Sequence, residues 1–212
     1  MAFGRRWPAS GLSDPAVRPA RESDAEPVAV LLYESAASMY NRFAGGRERA
    51  VRMLGRAFEA SGNNASREVV TVAEMEGRVA GALAGFPVDE TVARAGAFLK
   101  LALRAIPPWR WPSAMWLYWS GARAVPSPPD SAYYVDALAV DESLRRRGAA
   151  RSLLAAAEGR ARDLGLPAVA LDTSLDNRPA RALYVTAGYD EVAYRPAGRG
   201  LPGFVALVKQ LS

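Results

Sequence analysis

The chain has 212 residues, half of them hydrophobic, enough to bury a substantial core as one domain or as one domain with an elaboration. It has no cysteine and no histidine, which excludes a disulfide framework, a thiolate metal site, an acyl-cysteine route, an imidazole base and a Ser-His-Asp triad. The net charge of +5 is weak evidence for nucleic acid: among 27 basic residues only Lys100 and Lys209 are lysines, and arginines alternate with acids, as in Arg47, Glu48 and Arg49.

Residues 1–15 contain proline, glycine and serine and no long apolar core, so they predict a frayed segment rather than a signal peptide, and a cytoplasmic protein. Residues 16–212 are expected to form one domain. Its first strand falls near Val17, and Ser23 or Asp24 can cap a helix through Val28, Leu31 and Leu32. A second helix is predicted over residues 48–60. After a turn at 61–65, strands at 68–73 and 78–84 form a hairpin through Glu76 and Gly77.

Residues 91–125 interrupt this regular order. Residues 93–106 have helical periodicity, Pro107 and Pro108 end it, and Trp109, Trp111, Trp116 and Trp119 follow closely. The uncharged run 111–122 is too short for a bilayer span, which takes about 20 residues. The aromatics predict a helical flap packed against the sheet; a lid over an apolar substrate pocket, a homodimer interface and an interfacial membrane contact are the other readings.

Residues 133–140 are apolar apart from Asp136 and the tyrosine hydroxyls, the pattern of a strand buried on both faces. Directly after it come Arg145, Arg146, Arg147, Gly148, Ala149, Ala150 and Arg151, and then a helix bearing Leu153, Leu154, Ala157 and Ala161. A small-residue turn at a helix start lets backbone N–H groups approach a phosphate, with the helix dipole aimed at it. A solvent-exposed basic turn is the plainer reading. A strand over 168–173 and a helix over 177–187, with Pro179 in its first turn and Gly188 past its end, complete a βαβα unit, and residues 204–208 supply a closing strand. Walker and dinucleotide glycine motifs are absent.

The pattern Arg145-x-x-Gly148-x-Ala150, followed by Asn177-x-x-Ala180-x-x-x-Tyr184-x-x-x-Gly188-Tyr189, resembles the GNAT superfamily of acyl-CoA-dependent N-acetyltransferases. The resemblance is close over residues 133–189 and rests elsewhere on element order. It implies an α/β (α+β) fold with a mixed, centrally splayed sheet flanked by helices, here with a helical insertion over 91–125 before the cofactor strand. It also implies acetyl-CoA as acyl donor, no metal, and an amine acceptor that is a small molecule or a peptide. The backbones of Leu138 and Val140 would pair with the pantetheine arm, residues 145–151 would hold the pyrophosphate, Asn177 would face the arm, and Tyr184 would be the general acid for the thiolate.

The residues themselves leave alternatives open. Tyr184 also lies on an apolar stripe with Ala180, Leu183 and Ala187 and can be a packing residue, and Asn177 can simply cap its helix. Asp136 is the sole charge in its strand, in alternation with Tyr134, Leu138 and Val140. Desolvation there would raise its pKa toward that of a useful base, while a structural carboxylate is the competing reading. Glu74, Glu76 and Asp172 are weaker base candidates. The expected activity is direct acetyl transfer to a primary amine in a ternary complex; a non-catalytic acyl-CoA-binding module shares the same cradle.

Overall fold

The computed structural model describes residues 14–198 and 200–212, so most of the segment expected to fray lies outside the described residues. Among the described residues seven strands form one sheet: β1 (Ala16–Pro19), β2 (Val70–Met75), β3 (Arg78–Pro87), β4 (Ala132–Val140), β5 (Ala168–Ser174), β6 (Asp190–Arg195) and β7 (Phe204–Gln210). Their order is β1-β2-β3-β4-β5-β7-β6. Every neighbouring pair is antiparallel except the central one, β4 with β5, which the intervening helix makes parallel. The β2–β3 turn falls at Glu76 and Gly77, both at positive φ, the conformation a tight two-residue hairpin needs.

Helices α1 (Ala25–Ser35), α2 (Ala37–Ala44) and α3 (Arg47–Glu59) cover one face; α6 (Ala149–Asp163) and α7 (Arg178–Thr186) cover the other. On the first face, Val28, Leu31 and Leu32 of α1 and Met53, Leu54, Ala57 and Phe58 of α3 recur at helical spacing and pack over Ala82, Ala84 and Ala137. On the second, Leu153, Leu154, Ala157 and Ala161 of α6 are almost fully buried. Small residues in β3 allow this close approach: a Cβ on Gly81 would lie 3.2 Å from Leu153 Cδ1. The positions of α6 and α7 are tied by Lys209 of β7, whose Nζ donates to Glu158 Oε1 and to the Ala187 carbonyl, each at 2.8 Å.

Two elements were not foreseen. Helix α2 is short and has just two buried residues, Phe43 and Ala44, so it gives little periodic signal. Strand β6 lies at the sheet edge with mixed polar and apolar residues, and its pairing to β7 rather than its composition makes it a strand.

The insertion forms α4 (Thr91–Ala105) and α5 (Trp111–Ala124), joined through the turn at Pro108–Arg110. It packs on α3 and α2, and Ala102, Ile106, Ala114 and Leu117 join the core of that face. The expectation that its aromatics fill the packing against the sheet is corrected here: Trp109, Trp111, Trp116 and Trp119 are exposed. Aliphatic residues and Phe98 make the inward contacts, and the indoles are turned outward.

Candidate functional site

The central pair of strands separates. β4 and β5 are paired from Ala132 with Ala168 to Val135 with Leu171, and no further. Beyond that level β4 follows β3 as far as Val140, and β5 follows β7 as far as Ser174, so a fork opens between them. A bulge marks its base: Ala84 opposes Ala137 and Gly85 opposes Val135, which leaves Asp136 as the extra residue in β4.

That bulge overturns the simple alternation expected for this strand. Leu138 and Val140 fall on the α6 face, whereas Tyr134 packs on the opposite face with Ala132, Ala168 and Ala170. Asp136 therefore does not share a face with all three. The inserted residue shifts the period of two by one place, a change no alternating pattern can reveal.

The register also fixes where main-chain groups point. Asp141 N–H donates to the Ala80 carbonyl at 2.8 Å, so alternate residues Ala139 and Ala137 bond to β3. Leu138 and Val140 then direct their N–H and C=O groups away from β3, into the fork. Arg145 Nε donates to the Val140 carbonyl at 3.2 Å, which ties the turn to the strand end.

The turn itself leaves a run of donors free. Among the described residues, the N–H groups of Arg146, Arg147, Gly148, Ala149, Ala150 and Arg151 have no protein acceptor, and no side chain caps α6. Gly148 has φ 91° and Arg146 φ 63°, which curls these amides together ahead of the helix. Ala149 is buried, so only its N–H can serve a ligand, while Arg147 is held by Glu76 at 2.7 Å. The site is therefore a main-chain anion nest with arginines around it, which fits a pyrophosphate.

At the base of the fork two carboxylates sit one residue beyond the last paired level. Asp136 is solvent-accessible but closely surrounded by protein, and desolvation, then the Asp172 charge, push its pKa up to about 7; the 3.0 Å hydrogen bond from Asn64 Nδ2 opposes this. Desolvation raises Asp172 to about 6 against the hydrogen bond that Tyr134 Oη donates to it. Asn64 carries both a donor and an acceptor on one amide, so rotation of that amide can serve either protonation state of Asp136. Tyr40 of α2 is also within the field of Asp136, and burial first, then that charge, raise its pKa.

Tyr184 lies on the α7 side. Its ring is tilted 57° to that of Tyr189 at 6.3 Å, and burial first, then Asp172, raise its pKa and keep it protonated. Among the described residues its hydroxyl has no hydrogen-bond partner. Asn177 caps α7: its Oδ1 accepts from Ala180 N at 3.3 Å and its Nδ2 donates to Thr173 Oγ1 at 3.2 Å. It stays exposed at the fork's β5 end.

Leu138, Val140 and Asp136 thus line the β4 side of the fork, with the 145–151 turn beyond the end of β4, and Tyr184 lies within the field of Asp172 on the β5 side. The structure adds Tyr134, Asn64 and Tyr40, and promotes Asp172; Glu74 lies away, on the β1–β2 ladder and bonded to Arg18, while Glu76 on the hairpin turn holds Arg147 of the anion turn rather than joining the carboxylates at the base of the fork. Asn64 and Tyr40 carry no local signal, because each becomes relevant only when the bulge places Asp136 beside it.

A family model for the acetyltransferase (GNAT) family matches residues 32–189. The chain belongs to this family. Among solved structures it is similar to an acetyltransferase at TM-score 0.69 and 20% identity, covering 93% of this chain and 100% of that one. An N-acetyltransferase from Staphylococcus aureus Mu50 superposes at TM-score 0.72 and 19% identity, covering 91% and 99%. A Drosophila melanogaster polyamine N-acetyltransferase that forms N-acetylagmatine does so at TM-score 0.56 and 18% identity, covering 93% and 100%. No curated protein sequence matches. The splayed mixed sheet is the GNAT fold, and N-acetylation dependent on acetyl-CoA is general to the family.

Proposed function

We propose that this GNAT protein transfers the acetyl group of acetyl-CoA directly to a primary amine within a ternary complex. The observation that carries the reading is the fork itself, which puts unpaired amides at one end and Asp136 at the other.

In this reading, the amides of Arg146, Arg147, Gly148, Ala149, Ala150 and Arg151 hold the pyrophosphate, with Arg145 bracing the turn against Val140. The main chains of Leu138 and Val140 pair with the pantetheine arm as a strand would, and Asn177 flanks it. Bound there, the thioester is the activated acyl donor. Asp136 accepts a proton from the attacking amine nitrogen, for which a carboxylate with a pKa raised to about 7 is better suited than an ordinary one. Tyr184 donates its hydroxyl proton toward the departing sulfur. Asp172, bonded to Tyr134, adds negative charge that favours an amine arriving as a cation.

The test is a thermal-shift titration with acetyl-CoA, paired with thiol release over a panel of amines that includes agmatine, spermidine, aminoglycosides and lysine peptides. Stabilisation by acetyl-CoA together with amine-dependent release of free CoA is the expected result. Stabilisation with no release for any amine identifies a non-catalytic acyl-CoA-binding module instead.

A further inference from the structure

We propose that the outer face of the α4–α5 insertion docks on an anionic lipid surface. Between Glu90 and Asp130 the sequence contains no acid, while Arg94, Lys100, Arg104, Arg110 and Arg123 are all basic. That segment alone accounts for the net charge of +5; the remainder of the chain is balanced. Arg94 is paired with Glu68 and Glu90, and Arg110 is turned toward the carbonyls of Arg42 and Phe43. Among the described residues Lys100, Arg104 and Arg123 are exposed and have no ion pair.

In the sequence, large apolar side chains fall between Arg104 and Arg123. Trp109 is 80% exposed, Trp111 44%, Trp116 43% and Trp119 52%. Along α5, Trp116, Trp119 and Arg123 follow at i, i+3 and i+7, and with Ser120 they line one shallow groove. Ala114 and Leu117 face the core from the other side of the same helix. A helix with indoles and arginine on its outer face matches the interfacial region of a bilayer, where an indole ring is accommodated among the headgroups and a guanidinium meets lipid phosphate. No helix among the described residues is long and apolar enough to cross a membrane, so the insertion would lie on the surface.

The charge pattern argues against a second copy as the occupant. A two-fold contact through this face would set cations against cations, with no acid in the segment to relieve them. Docking would also orient the fork. α5 packs on α2, Arg110 Nη2 donates to the Arg42 carbonyl at 2.6 Å, and α2 carries Tyr40 beside Asp136.

The test is co-sedimentation of the full chain with phosphatidylcholine vesicles and with vesicles containing about a third phosphatidylglycerol, read with tryptophan emission. The expected result is salt-sensitive binding to the anionic vesicles with a blue shift, and weak binding to the neutral ones. The double variant Arg104→Ala/Arg123→Ala should bind about thirtyfold more weakly, since each cation near such a surface contributes comparably. Trp116→Ala/Trp119→Ala should show a smaller blue shift, because Trp109 and Trp111 remain, and bind about tenfold more weakly. Arg104 and Arg123 are exposed, so the arginine variant should melt as the wild type does; Trp116 lies under Arg42 and Trp119 meets Tyr118 edge-on, so the tryptophan variant is compared below its own Tm. The proposal is overturned by absent binding to anionic vesicles, by equal binding of wild type and variants, or by a wild-type dimer that the tryptophan variant converts to monomer.

Discussion

Along the far end of the fork the site is made of main chain: the free amides of residues 146–151 and the inward-facing groups of Leu138 and Val140. At its base the site is made of side chains, Asp136, Asp172, Asn64 and Tyr134, brought together by a bulge. The two regions are sensitive to different changes. A main-chain nest tolerates most side chains so long as its φ angles survive, whereas the carboxylate cluster depends on the identity of each group and on the charge of its neighbours. Arg147, held by Glu76, and Arg146, solvent-exposed, are thus secondary to Gly148 despite their charge.

The largest expected effect comes from breaking the nest at that glycine. Gly148→Glu forces a side chain into φ 91° and places a carboxylate beside the phosphates. Left-handed strain of roughly 1–2 kcal/mol plus like-charge repulsion of a few more should weaken CoA binding about a thousandfold. Isothermal titration with CoA measures this directly, and unchanged affinity would move the phosphate site elsewhere.

Changing Asp136 should leave CoA binding alone and alter chemistry. Asp136→Asn removes the proposed base, a change worth about 10²–10⁴ in kcat. With saturating acceptor, wild-type kcat should rise with pH through about 7 as the carboxyl ionises and then level off; the variant should lose that limb. Stability should move the other way. A folded pKa raised above the unfolded value means that the folded chain binds the extra proton, so stability falls as pH rises from about 4 to 7. Asp136→Asn relieves this and should raise Tm at pH 8. A lowered Tm would instead identify Asp136 as a structural carboxylate.

The main-chain half was the more legible in sequence. A glycine turn between an apolar strand and a helix has a local signature, and Arg145, Gly148, Ala150, Asn177 and Tyr184 fell at readable spacings. The carboxylate Asp136 was visible as a lone charge in an apolar strand, but its surroundings were not. The bulge that exposes it is a mismatch in count between β3 and β4, and Asn64 and Tyr40 reach it from distant segments. The tryptophans misled in the opposite direction. Aromatic clustering predicts burial, and Ala102, Ala114, Ile106 and Leu117 supply the buried contacts in their place.

The smallest change is at Tyr184, which packs on Tyr189 and lies within the field of Asp172 at the base of the fork. Its hydroxyl has no hydrogen-bond partner among the described residues, so Tyr184→Phe removes no protein contact. Stability should stay within about 0.5 kcal/mol of wild type and CoA affinity within about twofold, because a ring of the same shape still packs against Tyr189. If the hydroxyl protonates the leaving sulfur, kcat should nevertheless fall about tenfold to a hundredfold, with the loss greatest for acyl donors whose thiol is least acidic. A packing residue predicts an unchanged kcat. A structural hydroxyl predicts a lower Tm with kcat intact, so chemical denaturation run beside steady-state kinetics distinguishes all three roles on one variant.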